Sequence, residues 1–394
     1  MSFRDMKREM LVVFLLLSFV SFFADVTYEG ARSVFGSYAE VLGATALCAS
    51  LASIGEFLGY VTRLASGVVV ARSRSSVGYW LMVFTGYALN LVAVPLLAFA
   101  GYWQLAVVLM FFERIGKGLR TPARDTILAE VTEEVGRGKA FGLHEALDQA
   151  GAVLGPLMVS ASLYLSGNSY ATTFLLLAVP ATISTILLYM AFRRYPTLKA
   201  VENPLPWGKS TLPKIFWLYV VASSIMALGF IHWVNVSYYL KAENLLPDPL
   251  IALMYLVAML VDGIMAFPIG LLYDKIGPSS LLIAPISSAL IAPFLLTKDF
   301  TFALASSALW GVVMGVYESI ARAFVADITP PEGRAFGYGV FGAFFGFSWM
   351  LGSMTYGYLY QYCPDYMTWF SAVCNASAFA CLAAITLKTG RRRS

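Results

Sequence analysis

Ala129-Glu-Val-Thr-Glu-Glu-Val-Gly-Arg-Gly-Lys-Ala-Phe-Gly142 is answered in the second half of the chain by Ala326-Asp-Ile-Thr-Pro-Pro-Glu-Gly-Arg-Ala-Phe-Gly337. Ahead of these stretches, Ala123-Arg124 is answered by Ala321-Arg322. Behind them, Gly142-x8-Gly151 is answered by Gly337-x8-Gly346. Several matches in one order mark an internal repeat. Each copy joins the acidic end of one apolar run, through a short basic turn, to a glycine-spaced run. The chain therefore reads as two related halves.

Composition says where those halves live. Of 394 residues, 59% are hydrophobic and 13% charged, against roughly 25% charged in soluble domains. A spanning helix needs about 20 apolar residues. The apolar runs give spans at 11–39, 44–66, 78–100, 103–131, 138–165, 170–192, 215–240, 250–273, 281–296, 302–328, 333–360 and 367–387. The expected fold is an all-α membrane protein of about twelve transmembrane helices in two pseudo-symmetric six-helix bundles. The bundles cover 1–192 and 215–394, and a basic, Pro-containing cytoplasmic linker over 193–214 joins them. That linker is too short for a nucleotide-binding domain. Glu113-Arg-Ile-Gly-Lys117-Gly118 is no phosphate loop either, because Phe111 and Gly118 stand where Gly and Ser or Thr are required.

The net charge is +4. Basic residues gather at Arg4–Arg8, Arg72–Arg74, Arg137–Lys139, Arg193–Lys214 and the C-terminal tail, while alternate loops carry only Lys241 and Lys298. The positive-inside rule then puts both termini in the cytoplasm of a multi-pass plasma-membrane protein. The first run extends past a signal-peptide core and shows no cleavage site, so it reads as a span. Cys48, Cys363, Cys374 and Cys381 have neither metal-ligand nor disulfide spacing and read as packing residues.

Charges within the runs carry the function. Asp25, Glu29, Glu56, Arg114, Lys117, Asp262 and Glu318 lie deep in apolar stretches, where a charge costs about 2.5–3.5 kcal/mol even on insertion scales. Keeping so many requires a watered cavity, internal pairing, or both. Two related halves with charges at the midplane are the layout of secondary transporters.

Three motifs resemble those of the major facilitator superfamily. Gly270-Leu-Leu-Tyr-Asp274-Lys275-Ile-Gly277 is similar to its loop motif. The N-terminal copy, Gly67-Val-Val-Val-Ala71-Arg72, has Ala in place of the Asp. Gly142-x8-Gly151-x3-Gly155-Pro156 resembles the glycine-proline motif of proton-coupled exporters, with Val159 and Ser160 where two further glycines are usual. Glu113-Arg114-Ile-Gly-Lys117-Gly-Leu-Arg120-Thr-Pro-Ala-Arg124-Asp125 resembles a signature of a prokaryotic branch of mostly unassigned substrate, whose first span also tends to carry an Asp and a Glu. The resemblance implies alternating access. It also implies a conformational latch involving Arg72, Asp274, Lys275, Gly142, Gly151, Gly155 and Pro156.

Asp25, Glu29 and Arg32 fall on one helix face at i, i+4, i+7, with Tyr28 beside them. Two readings stand. Carboxylates in low dielectric take up protons readily and would carry them; alternatively, Glu29 is neutralised by Arg32 or by a base of the fourth span. Asp25, Glu29, Glu56 and Asp262 are the candidate proton-coupling residues. Tyr28, Arg32, Arg114, Lys117, His232 and Glu318 are the candidate substrate-binding residues. Arg is suited to carboxylate or phosphate. Arg120 and Arg124, nearer the cytoplasm, are expected at interdomain or headgroup contacts, and Glu318 with Arg322 as a local pair. His144 and Asp148, one turn apart, could share a proton. With 2 His in the chain, N and S donors are too scarce for a dedicated metal site, and no cofactor is expected.

The sequence thus points to a monomeric secondary transporter moving a small organic solute, with protons as partner and export as direction. The alternative is uptake or uniport of an organic anion, and a more distant one is a non-transporting receptor or scaffold. No nucleophile–base pair points to an enzyme, and nothing points to nucleic acid.

Overall fold

In a computed structural model of the chain, residues 3–132, 137–199 and 212–390 are described. Residues 200–211 of the expected linker, and residues 133–136 of the first repeat's turn, lie outside them. Every regular element among the described residues is helical. The first half holds α1 (Phe3–Val41), α2 (Ala46–Ser50), α3 (Ser53–Arg72), α4 (Ser76–Leu96), α5 (Trp103–Val131), α6 (Arg137–Leu165), α7 (Tyr170–Leu176) and α8 (Ala178–Arg194). The second holds α9 (Lys214–Gly229), α10 (Trp233–Ala242), α11 (Asp248–Ile276), α12 (Ile283–Leu296), α13 (Phe300–Val316), α14 (Arg322–Ile328), α15 (Arg334–Tyr362) and α16 (Tyr366–Gly390).

Among the described residues, ten helical runs are long and apolar enough to cross a bilayer. One of them, Asp248–Leu296, contains both α11 and α12. Adding α5, whose 29 residues are too charged for the hydropathy criterion, gives the twelve spans read from the sequence. Of the charges on α5, Glu113, Arg114 and Arg120 are buried.

The helices form two compact units. One comprises Met1–Ala31 and Leu58–Trp207, the other Arg32–Phe57 and Gly208–Ser394. The continuous helix α1 therefore gives its first part to one unit and its remainder to the other.

Small residues set the packing of the first unit. A Cβ on Gly116 would lie 2.5 Å from the Gly86 carbonyl oxygen on α4, and one on Gly118 would strike the Gly59 carbonyl on α3. The Gly-Lys-Gly of α5 thus lets two neighbours approach at backbone distance, as membrane helices do where small residues meet. Pro122 cannot donate to the carbonyl four residues back, which belongs to Gly118. Ser66 Oγ donates to that oxygen instead, at 3.0 Å.

In the second unit, the seventh span is broken between α9 and α10. Side chains satisfy the freed carbonyls: Tyr356 Oη donates to Gly229 O at 2.7 Å, Trp349 Nε1 to Phe230 O at 2.9 Å and Trp310 Nε1 to Ile231 O at 3.1 Å. Irregular backbone at membrane depth survives only with such partners. The tenth span contains a π-helical turn at Tyr317–Ala321.

Candidate functional site

In the first unit, α1, α5 and α6 bring most of the predicted N-terminal residues together. A Cβ on Gly155 would lie 2.5 Å from the Val26 carbonyl oxygen, and one on Gly151 would sit 3.0 Å from Asp25 Cβ. The glycine-proline motif therefore presses α6 against α1 beside Asp25. Gly142, by contrast, has open space around it. The Tyr28 hydroxyl donates to Asp25 Oδ1. Lys117 Nζ stands 3.7 Å from Glu29 Oε1 and 4.1 Å from the Tyr28 ring centroid. A base of the fourth span thus stands beside Glu29. The Lys117 side chain is 37% exposed and that of Glu29 8%, so a nearly buried carboxylate meets a cation in reach of solvent.

Arg114 turns toward its own neighbour, with Nε 3.0 Å from Glu113 Oε2. Asn90 Nδ2 donates to Glu113 Oε1 at 2.7 Å. The sequence reading passed over this fully buried acid and its α4 partner, because Glu113 looked like a mere flank of Arg114. Arg124 forks onto Asp125 at 3.0 and 2.8 Å and donates to Ser21 Oγ at 2.8 Å. On α6, His144 Nε2 is 3.5 Å from Asp148 Oδ2, and Nδ1 is 3.2 Å from Ser18 Oγ. Asp25 feels the charges of Asp148, Lys117, Glu29 and Arg120.

The second unit gathers Arg32, Glu56 and His232. Arg32 Nη2 is 2.7 Å from Glu56 Oε1, and His232 Nε2 is 3.7 Å from the same oxygen. His232 also caps α10, accepting the Val234 N–H on Nδ1 at 3.2 Å. That bond leaves Nε2 as the nitrogen facing Glu56. Trp349 lies beside both bases, its ring 4.5 Å from that of His232 and 5.9 Å from Arg32 Cζ.

Asp262 is buried on α11. A Cβ on Gly315 would sit 3.2 Å from its carbonyl oxygen and 3.4 Å from Oδ1. Glu318, half-buried, belongs to the π turn. Both lie in the second unit, as does the loop motif, where Asp274 and Lys275 are exposed. Gly277 ends α11 at φ 65°, a conformation that favours glycine. Tyr273 Oη of that motif donates to Asp327 Oδ2 at 2.7 Å, tying the loop to the repeat. Arg72 is exposed at the end of α3, in the first unit.

Comparison with known proteins settles the family. The model of the Major Facilitator Superfamily matches residues 14–241 and 218–394. The chain belongs to the Major Facilitator Superfamily. An uncharacterized protein of Mycobacterium tuberculosis is 37% identical over 353 residues, which is 87% of this chain and 85% of the relative. An uncharacterized transporter of this superfamily from Methanocaldococcus jannaschii is 28% identical over 272 residues, 66% of this chain and 67% of the relative. Among solved structures, the nucleoside transporter NupG superposes with TM-score 0.73 at 14% identity, covering 95% of this chain and 98% of the other. The peptide transporter POT in complex with sulfate gives TM-score 0.72 at 15% identity, covering 96% and 94%. At such identities these structures speak for the fold alone. The protein is a multi-pass membrane transporter of this superfamily.

Proposed function

We propose that the chain exports a small organic solute by alternating access, coupled to protons and without chemical catalysis. The observation that carries this reading is the cluster of Asp25, Tyr28 and Glu29 on α1 against Lys117 on α5. It places two intramembrane carboxylates beside a cation that is itself reachable from solvent. A carboxylate buried without full charge compensation changes its proton occupancy when its neighbours move.

In this reading Asp25 and Glu29 handle protons in the first unit, Glu56 and Asp262 in the second. Tyr28, Arg32, Arg114, Lys117, His232 and Glu318 are the substrate-binding residues of this reading. Arg32 and Glu56 can take those roles only when their mutual bond opens. Gly151, Gly155 and Pro156 keep α6 close to α1, and Gly142, Arg72, Asp274 and Lys275 steady one conformation. The protein works as a monomer in the plasma membrane with both termini cytoplasmic. Its bundles are 1–192 and 215–394, joined by the linker 193–214.

Uptake or uniport of an organic anion is the second reading, favoured by the run of bases along α5. Proteoliposomes of known orientation separate the two. Flux of a tracer anion is followed with and without an imposed pH gradient, beside a lumenal pH dye. Proton-coupled export predicts gradient-driven flux with counter-movement of protons, and Asp25→Asn abolishes the gradient's effect while the protein stays folded. Unchanged coupling in Asp25→Asn would remove that residue from the proton path.

A further inference from the structure

One buried cation of α5 is not accounted for by any pairing among the described residues. Arg120 is 1% exposed, and its Nε and Nη1 are buried with no hydrogen-bond partner. Its neighbours along the helix differ. Arg114 has Glu113, and Arg124 has Asp125 and Ser21. What Arg120 does have is ring faces, with its Cζ 4.1 Å from the Tyr87 centroid and 5.9 Å from that of Tyr28.

Magnitudes show that the rings do not suffice. A cation over an aromatic face recovers only part of what removing a guanidinium from water costs, and hydrogen-bonded countercharge is needed to offset the rest. Asp25 and Asp148 feel the charge of Arg120, yet neither bonds to it. A folded chain rarely retains unmatched donors on a buried charge unless something else comes to meet them. Lys117, one helical turn away on α5, stands over the same Tyr28 ring at 4.1 Å. Tyr28 thus lies under three cations: the buried Arg114 and Arg120, at 5.8 and 5.9 Å, and the partly exposed Lys117.

We propose that Arg120 anchors an oxyanion, a carboxylate or phosphate group of the solute, with Lys117 as the solvent-reachable cation over Tyr28. The inference rests on the transporter reading above and names the class of its cargo. A guanidinium presents parallel N–H groups that match the two oxygens of a carboxylate or phosphate, which an ammonium cannot do. Tyr87 and Tyr28 keep that plane in place before the anion arrives, lowering the ordering cost of binding.

The test is thermal unfolding of the purified full chain in detergent at fixed ionic strength. The probes are benzoate, phenyl phosphate and inorganic phosphate, beside the neutral benzamide and the cationic benzylamine. A ligand of the native state raises the apparent midpoint by linkage. The oxyanions should raise it, and the neutral and cationic probes should not. Arg120→Gln should abolish the rise. Arg120→Lys should keep the response to inorganic phosphate but weaken benzoate roughly tenfold, because the planar fork is lost. If Arg120→Gln does not fold, Arg120→Lys and Tyr87→Leu carry the same comparison. A response to benzamide or benzylamine equal to that of benzoate, an oxyanion response unchanged in the variants, or no response to any oxyanion would each overturn the proposal. Benzoate flux into proteoliposomes separates it from the transport reading. Binding without flux leaves the anchor and removes transport, whereas flux of neutral solutes without oxyanion preference removes the anchor alone.

Discussion

Arg32 Nη2 lies 2.7 Å from Glu56 Oε1, so the first and second spans are joined by an ion pair whose side chains are 10% and 12% exposed. Breaking such a pair from one side strands a buried charge, at a cost of about 3–5 kcal/mol, whereas replacing both partners by apolar residues is often close to neutral. Arg32→Met and Glu56→Met should therefore each lower the thermal midpoint markedly. The double variant should be more stable than either single one. Strictly additive losses in a double-mutant cycle, measured in one detergent, would show that the two groups do not depend on each other.

The glycine motif of α6 should divide by position. A Cβ at Gly155 meets the Val26 carbonyl oxygen at 2.5 Å and the Gly30 nitrogen at 2.8 Å, both of them backbone that cannot swing away. Gly155→Val should cost about 1–3 kcal/mol or more by forcing α6 off α1. Gly142 has nothing within 4 Å and lies inside the same helix. Gly142→Ala should be neutral or stabilising by up to about 1 kcal/mol through helix propensity. Unfolding midpoints of the two variants decide it, and equal losses would reject the close-approach account.

Apolar run lengths were enough to locate the spans, because a bilayer demands about 20 apolar residues whatever the neighbours are. Even α5, too charged to pass a hydropathy test, was legible from its place between two turns. Helical spacing also placed Asp25, Tyr28 and Glu29 on one face. Partner choice was not legible. Arg32 meets Glu56 of α3, and Lys117 of α5 stands by Glu29, and neither contact follows from spacing along one helix. Contacts between helices depend on how the helices pack, and α5 is held close to α3 and α4 by Gly116 and Gly118. The Gly-Lys-Gly spacing was the available signal for this pinch. The break at Gly229–His232 left a fainter trace, since no proline marks it and its carbonyls are met by Trp and Tyr residues far along the chain.

Those carbonyls support a graded prediction. Tyr356→Phe removes the shortest bond to Gly229 O, but Asn375 Nδ2 remains at 3.3 Å, so the loss should stay near the ~0.5–1.5 kcal/mol of an ordinary hydrogen bond. Trp349→Phe takes away the indole donor to Phe230 O and the ring beside Arg32, leaving a buried acceptor without that bond. Its cost should be larger, about 1–3 kcal/mol for the acceptor alone. Unfolding midpoints that rank the two in the opposite order would count against side-chain capping of the break.

Glu243 follows α10 outside the spans and accepts from Lys298 Nζ at 2.5 Å and from Tyr360 Oη at 2.9 Å. The Lys298 bond foremost holds its carboxyl below the ordinary value of 4.5, against burial and with help from Tyr360. A carboxyl that ionises more easily folded than unfolded adds stability that is complete above its unfolded value and is lost as pH falls through the folded one. Glu243→Gln should therefore lower the midpoint at neutral pH, and the gap to the parent should close as pH falls below the ordinary carboxyl range and through the folded value. The pair is partly exposed and screened by water, so the effect should lie within about 0.2–1 kcal/mol and shrink with added salt. Tyr360→Phe, which leaves the Lys298 bond in place, should reproduce only part of it. A gap that persists unchanged in acid would mean that Glu243 acts by packing rather than by charge.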